Sequence, residues 1–250
     1  MDVTDLRSFY AERLGIVARR LIGVRIKALW PSVAGDRILG IGYPVPYLVQ
    51  LGEDAAYRLA FMPAELGVIH WPSGKPNASA LILDDALPLP GASVDRVLLI
   101  HSLELANSAL DLLREIWRVT APGGRIIVVV PNRAGIWARM EKTPFGHGRP
   151  FSRGQLGGLL REAMFSPNTW TGALNMPPLA NPLLLRAGTN WERLGSVLWP
   201  RLAGVHVVEA TKVVRQKVEA RSSRRRTAPA LKPAMTTNLR MRNRDAGPAL

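Results

Sequence analysis

Four short stretches of this chain carry side chains suited to chemistry. Asp84-Asp85-Ala86 sets two carboxylates side by side. His101-Ser102-Leu103-Glu104 places an imidazole three residues before a carboxylate. Gly40-Ile41-Gly42 removes side chains at alternate positions, which lets a ligand approach the backbone. His147-Gly148-Arg149 offers an imidazole and a guanidinium on one loop. An imidazole titrates near neutral pH, so His101 is a candidate general base, with Glu104 beside it. Each has a plainer reading as well. His101 could cap a buried strand, Asp85 could be a solvated acid at a strand end, and His147 and Arg149 could anchor their loop.

The elements around them alternate between two periods. Val3 to Trp30 repeats apolar residues every three or four positions and reads as helix up to Pro31, with Gly15 and Gly23 against one straight rod. Strands are expected at Asp36 to Ile41, Tyr57 to Phe61, Ala80 to Leu83, Val94 to His101, Arg125 to Val130, Pro167 to Gly172 and Val205 to Val214. Between them fall a short helix at Pro46 to Gly52, a turn and short helix at Met62 to Trp71, and longer helices at Ser108 to Thr120 and Ser152 to Met164. Leu110, Leu113, Ile116 and Trp117 are the expected inner face of the first long helix, and Pro122-Gly123-Gly124 its stop. Residues 175–203 read as an apolar, Pro-rich insert with a helix near Trp191 to Leu198. Strands alternating with helices make an α/β wound sheet, whose ligands sit beyond the carboxyl ends of the strands.

From Ile82 to Asn132 the order is strand, acid pair, strand, helix, Ala-Pro-Gly-Gly turn, strand. This resembles the second half of the class I S-adenosylmethionine-dependent methyltransferases, of the type 11 group. The resemblance implies a doubly wound, seven-stranded, mostly parallel Rossmann-like sheet with an antiparallel last strand, Val205 to Val214. It implies S-adenosylmethionine as cofactor, with Asp85 taking the adenine amino group and Ala86 offering its N–H to the ring. Gly40 and Gly42 would lie under the amino-acid portion, and His101 would flank the cofactor. His101 and Glu104 would be catalytic, and His147 and Arg149 would lie on the side of an unknown methyl acceptor. The family pattern D-x-G-x-G-x-G is degraded here. Gly40 stands for the acid, and Pro44 and Pro46 for the later glycines. Met62 falls where the ribose acid belongs, and Glu65 follows three residues later. The alternative implied by these losses is a methyltransferase-fold adaptor without catalysis.

With 250 residues and 47% hydrophobic residues, the chain can bury one large core. No Cys means no disulfide, thiolate metal site or cysteine nucleophile, and no metal centre is expected. No apolar run is long enough for a membrane span, and the start resembles no secretory leader, so a cytoplasmic protein is expected. The net charge is +14, of which +8 falls after Val214, where ten Lys/Arg meet two Asp/Glu. The expected organisation is a helical segment over 1–35, a methyltransferase-like domain over 36–217 and a basic, disordered tail over 218–250. The tail, over 221–244, is a candidate contact for RNA or another polyanion, or a solubilising segment. Oligomeric state is not legible.

Overall fold

The computed structural model describes residues 1–179, Glu192, Gly195 and 200–214. Seven strands form one sheet in the order β3-β2-β1-β4-β5-β7-β6. They are β1 Arg37–Gly42, β2 Tyr57–Pro63, β3 Ser79–Ile82, β4 Val94–Ile100, β5 Thr120–Pro131, β6 Phe165–Ala173 and β7 Val205–Lys212. The first five run parallel, and β7 is antiparallel to both β5 and β6. The expected wound sheet with an antiparallel last strand is borne out. The chain order reverses between β1 and β4, which opens a crevice at their carboxyl ends.

Helices cover both faces. The helices α1 Val3–Ala11, α2 Arg13–Leu29 and α3 Val45–Leu48 pack on one side, and α4 Ala109–Val119 and α5 Arg153–Glu162 on the other. Central strands therefore read as continuous apolar runs. Val97, Leu98, Leu99, Ile126, Ile127 and Val128 are all fully buried. Ser108 caps α4 by accepting the Asp111 N–H, and Leu112, Leu113, Ile116 and Val119 form its buried stripe. That stripe is rotated from the expected one, leaving Leu110 and Trp117 half-buried. On the outer side of α4, Glu115 accepts the Leu87 N–H, and Arg118 donates to the Leu87 and Leu89 carbonyls. The Leu87-Pro88-Leu89 segment is thus clamped, and the acid pair before it is held in place.

Three expectations change. The first helix is two helices, broken where Glu12 takes an extended conformation. Asp2 starts α1 with a capping box to Asp5. The first turn of α2 then lies so close to α1 that a Cβ on Gly15 would collide with the Phe9 carbonyl. No helix forms over Met62 to Trp71; Pro63 closes a turn to Leu66 and Gly67. Third, Pro122-Gly123-Gly124 does not stop α4, which ends at Val119. The triplet is an irregularity inside β5, between the Val94–Thr120 and Arg96–Arg125 pairs. The insert helix expected near Trp191 to Leu198 lies mostly outside the described residues, and the tail lies wholly outside them. Residues Met1–Val214 cluster as one compact unit.

Candidate active site

The carboxyl ends of β2, β3 and β4 enclose a cavity of about 370 Å³. Its wall holds Glu65 and Leu66 after β2, Asp84 after β3, Ser102 and Leu105 after β4, and His147. Asp84 Oδ1 and Ser102 Oγ are buried there with no hydrogen-bond partner among the described residues. Burial pushes the Asp84 carboxyl above the usual carboxylate range. The Asn107 backbone N–H works against that rise, and the Glu65 and Asp85 charges add to it. Asn107 Nδ2 also donates to Glu65 Oε1 at 2.8 Å. A second cavity of about 230 Å³ continues past Asp84 to Asp85 and Asn107. The volume and the unmet acceptors suit a small ligand that carries hydrogen-bond donors.

On the β1 side of His101 the space is filled. His101 follows β4 directly, in the left-handed region at φ 53°, and is fully buried. Its Nε2 lies 2.7 Å from the Tyr10 hydroxyl, which accepts from the Tyr47 hydroxyl at 3.0 Å. With Tyr47 donating to Tyr10, the Tyr10 proton goes to Nε2. That leaves the imidazole N–H on Nδ1, facing Glu104 Oε1 at 3.6 Å. Glu104 is buried, and its other oxygen accepts the Ser102 N–H at 3.3 Å. Around this relay stand Tyr43, stacked on Tyr10 at 5.8 Å, and Phe145, 4.9 Å from the imidazole. The Tyr10 hydroxyl titrates well above the usual tyrosine range, chiefly through burial, with Tyr47 and the Glu104 charge adding to it.

Comparison with known proteins decides what this framework is. Residues 40–128 match the family described as a methyltransferase domain. An S-adenosylmethionine-dependent methyltransferase from Thermotoga maritima superposes with a TM-score of 0.59 at 18% identity, over 84% of this chain and 96% of that one. A chain of the complex between the Haloferax volcanii Trm112 methyltransferase activator and its methyltransferase gives 0.59 at 15%, over 85% and 98%. An S-adenosylmethionine-dependent methyltransferase from Archaeoglobus fulgidus gives 0.56 at 17%, over 78% and 94%. No curated protein matches the sequence. The chain has the fold of these methyltransferases.

The cofactor implied by this fold is S-adenosylmethionine, and the residues present fit one end of it. An adenosine brings an amino group and two ribose hydroxyls, all donors. Asp84 Oδ1, Ser102 Oγ and Glu65 are acceptors lining the cavity. At the other end, both glycines pack on the protein itself. A Cβ on Gly40 would meet the Pro44 ring and Leu48, and one on Gly42, at φ 93°, would meet the Ile100 and His101 carbonyls. Tyr10, Tyr43 and Phe145 fill the volume above. In this conformation α1 occupies the space that a methionine end over Gly40 and Gly42 would need.

The site residues expected from the sequence fall as follows. His101 and Glu104 are brought together and buried, between the cavity and the aromatic cluster. His147 reaches the cavity wall. Arg149 donates its backbone N–H to the Glu104 carbonyl at 2.8 Å, and its side chain is exposed. Asp85 is exposed and lines only the smaller cavity, and the Ala86 N–H is turned back to the Leu83 carbonyl at 3.3 Å. Sequence reasoning passed over Asp84, Ser102, Tyr10, Tyr43 and Phe145. Alternation beyond β3 was the available signal for Asp84. Ile82 is buried and Leu83 exposed, so Asp84 turns inward and Asp85 outward. For the aromatics no local signal exists, because α1 and the Phe145 turn are distant in sequence.

Proposed function

We propose that this chain is an S-adenosylmethionine-dependent methyltransferase whose adenosine subsite is the cavity between Asp84, Glu65 and Ser102. The observation that carries the reading is the unmet Asp84 Oδ1, a buried acceptor kept at a cost to stability on the ligand-binding edge of the sheet. The cofactor, when bound, supplies a methyl group on a sulfonium cation. The protein supplies alignment and a dry enclosure. Tyr10, Tyr43 and Phe145 present aromatic faces next to the buried Glu104, surroundings that suit a cation. For the methionine end to enter, α1 must carry Tyr10 off His101. That movement frees Nε2, and His101, with Glu104 Oε1 3.6 Å from its Nδ1, can then take a proton from an acceptor. His147 lines the same cavity as Asp84 and Ser102.

The experiment is calorimetric titration of S-adenosylmethionine into wild type, Asp84→Ala and His101→Ala, followed by turnover once an acceptor is found. Asp84→Ala should lose binding. His101→Ala, which also releases Tyr10, should bind at least as tightly as wild type while turnover falls about 100-fold or more. Unchanged turnover would remove His101 from the mechanism. A second reading, a methyltransferase-fold adaptor, is favoured by the closed methionine end and the prolines at positions 44 and 46. It predicts no heat with S-adenosylmethionine. We also infer a cytoplasmic protein whose basic segment 221–244 contacts RNA, on its charge alone.

A further inference from the structure

A cavity larger than the one that holds Asp84 lies elsewhere in the described residues. It measures about 810 Å³ and lies at the other flank of the same sheet edge, over the carboxyl end of β5 and the β6–β7 pair. Four arginines from four separate elements line it: Arg25 of α2, Arg133 after β5, Arg153 of α5 and Arg201 before β7. Such convergence from distant parts of the chain is not a solvated helix face. Two of the guanidinium groups have a fixed neighbour, and Arg133, Arg153 and Arg201 are exposed to solvent. Arg153 lies 4.9 Å over the Trp170 ring. The segment bearing Arg201 is pinned by the buried Asn132, whose Nδ2 donates to the Arg201 and Ala203 carbonyls at 2.9 and 2.7 Å. Arg25 stands 3.6 Å from Glu192. Among the described residues, Arg133, Arg153 and Arg201 have no carboxylate within ion-pair distance.

Two further observations point to a ligand. His206 Nε2 and Asn175 Oδ1, both of residues in the cavity wall, are buried with no hydrogen-bond partner among the described residues. The α5 helix also begins at this wall with Ser152 as its cap, so its positive end adds to the arginines. Forked guanidinium groups match phosphate oxygens two at a time, and this many cations exceed what one carboxylate would neutralise. The cavity is concave and within the size range of small-molecule sites.

We propose that this cavity binds a small molecule bearing a phosphate or pyrophosphate group, with Arg133, Arg153 and Arg201 on the anion and His206 and Asn175 on neighbouring polar atoms. The binding stands apart from the methyltransferase reading. Its position on the same sheet edge makes the anion a handle for positioning an acceptor, and only that assignment rests on methyl transfer.

The test is calorimetry on the full chain with inorganic pyrophosphate, in the absence of S-adenosylmethionine. Wild type should show saturable binding. Arg133→Gln and Arg153→Gln should each weaken it about tenfold or more, as expected for a lost charged hydrogen bond. Arg153→Lys should fall between, since lysine keeps the charge and loses the fork. Arg114→Gln, an exposed arginine on α4, should bind as wild type does. Thermal melts check that each variant is folded. Absence of saturable binding, or equal binding by wild type and both glutamine variants, would overturn the proposal. So would malonate binding as tightly as pyrophosphate, which would make this a carboxylate site. If the glutamine variants instead lose affinity for single-stranded RNA while pyrophosphate is ignored, the face is a nucleic-acid surface and the small-molecule assignment fails.

Discussion

Asp84 is where stability and function pull against each other most clearly. Its carboxyl titrates above the usual range because burial disfavours the charge. The stability that its neutral form contributes is whole below the ordinary Asp value of about 4 and is lost as pH rises through the raised value. Asp84→Asn cannot suffer that loss. At pH 7 the variant should be the more stable, with a higher Tm, and the gap should close near pH 4. Thermal melts at the two pH values check this, and an equal gap at both would show that ionisation is not the cause. The same substitution should weaken S-adenosylmethionine binding. Reading the site from sequence reached this strand end and its acid pair, and alternation across Ile82 and Leu83 separates the two acids. His101 and Glu104 were legible as a pair. Their burial was not, because the residues that cover them lie on other elements.

At the level of elements, α1 is the part of the fold that covers His101. Strands were readable because buried parallel strands are continuous apolar runs, and β4 and β5 are plain examples. The break between α1 and α2 was partly readable. Gly15 stood against one straight helix, but Glu12, where the chain turns extended, carries no breaker signal of its own. The irregularity in β5 is similar. Pro122-Gly123-Gly124 has turn composition, yet Val94 pairs with Thr120 before it and strand pairing resumes after it. Because of the break, α1 can hang Tyr10 over His101. Tyr10→Phe removes the donor to His101 Nε2 and the acceptor for Tyr47. The protein should lose about 1–3 kcal/mol, measured by denaturant unfolding. S-adenosylmethionine should bind several-fold tighter, because the apparent dissociation constant falls as the open fraction rises. Affinity that drops together with stability would make Tyr10 a direct contact instead of a strap.

For the whole molecule, charge is the property that composition reports best and structure reports least. The +8 beyond Val214 lies outside the described residues, so RNA contact by 221–244 rests on sequence alone. It predicts that the full chain binds single-stranded RNA with a log–log salt slope of a few units between about 50 and 200 mM. A chain ending at Lys217 should bind far more weakly. Equal binding by the two chains would reduce the tail to a solubility device. The arginine cavity shows the opposite limit. Its four cations are scattered over the sequence, look like ordinary surface charge in composition, and converge only once the sheet is wound.

The central claim is that a cofactor subsite survives here despite the degraded glycine loop. Calorimetry of S-adenosylmethionine with the full chain, beside Asp84→Ala, tests it most directly. The account predicts a saturable one-to-one heat for wild type that Asp84→Ala loses. No heat from wild type at about millimolar cofactor, where even a dissociation constant near 1 mM would register, would contradict it and leave the adaptor reading in its place.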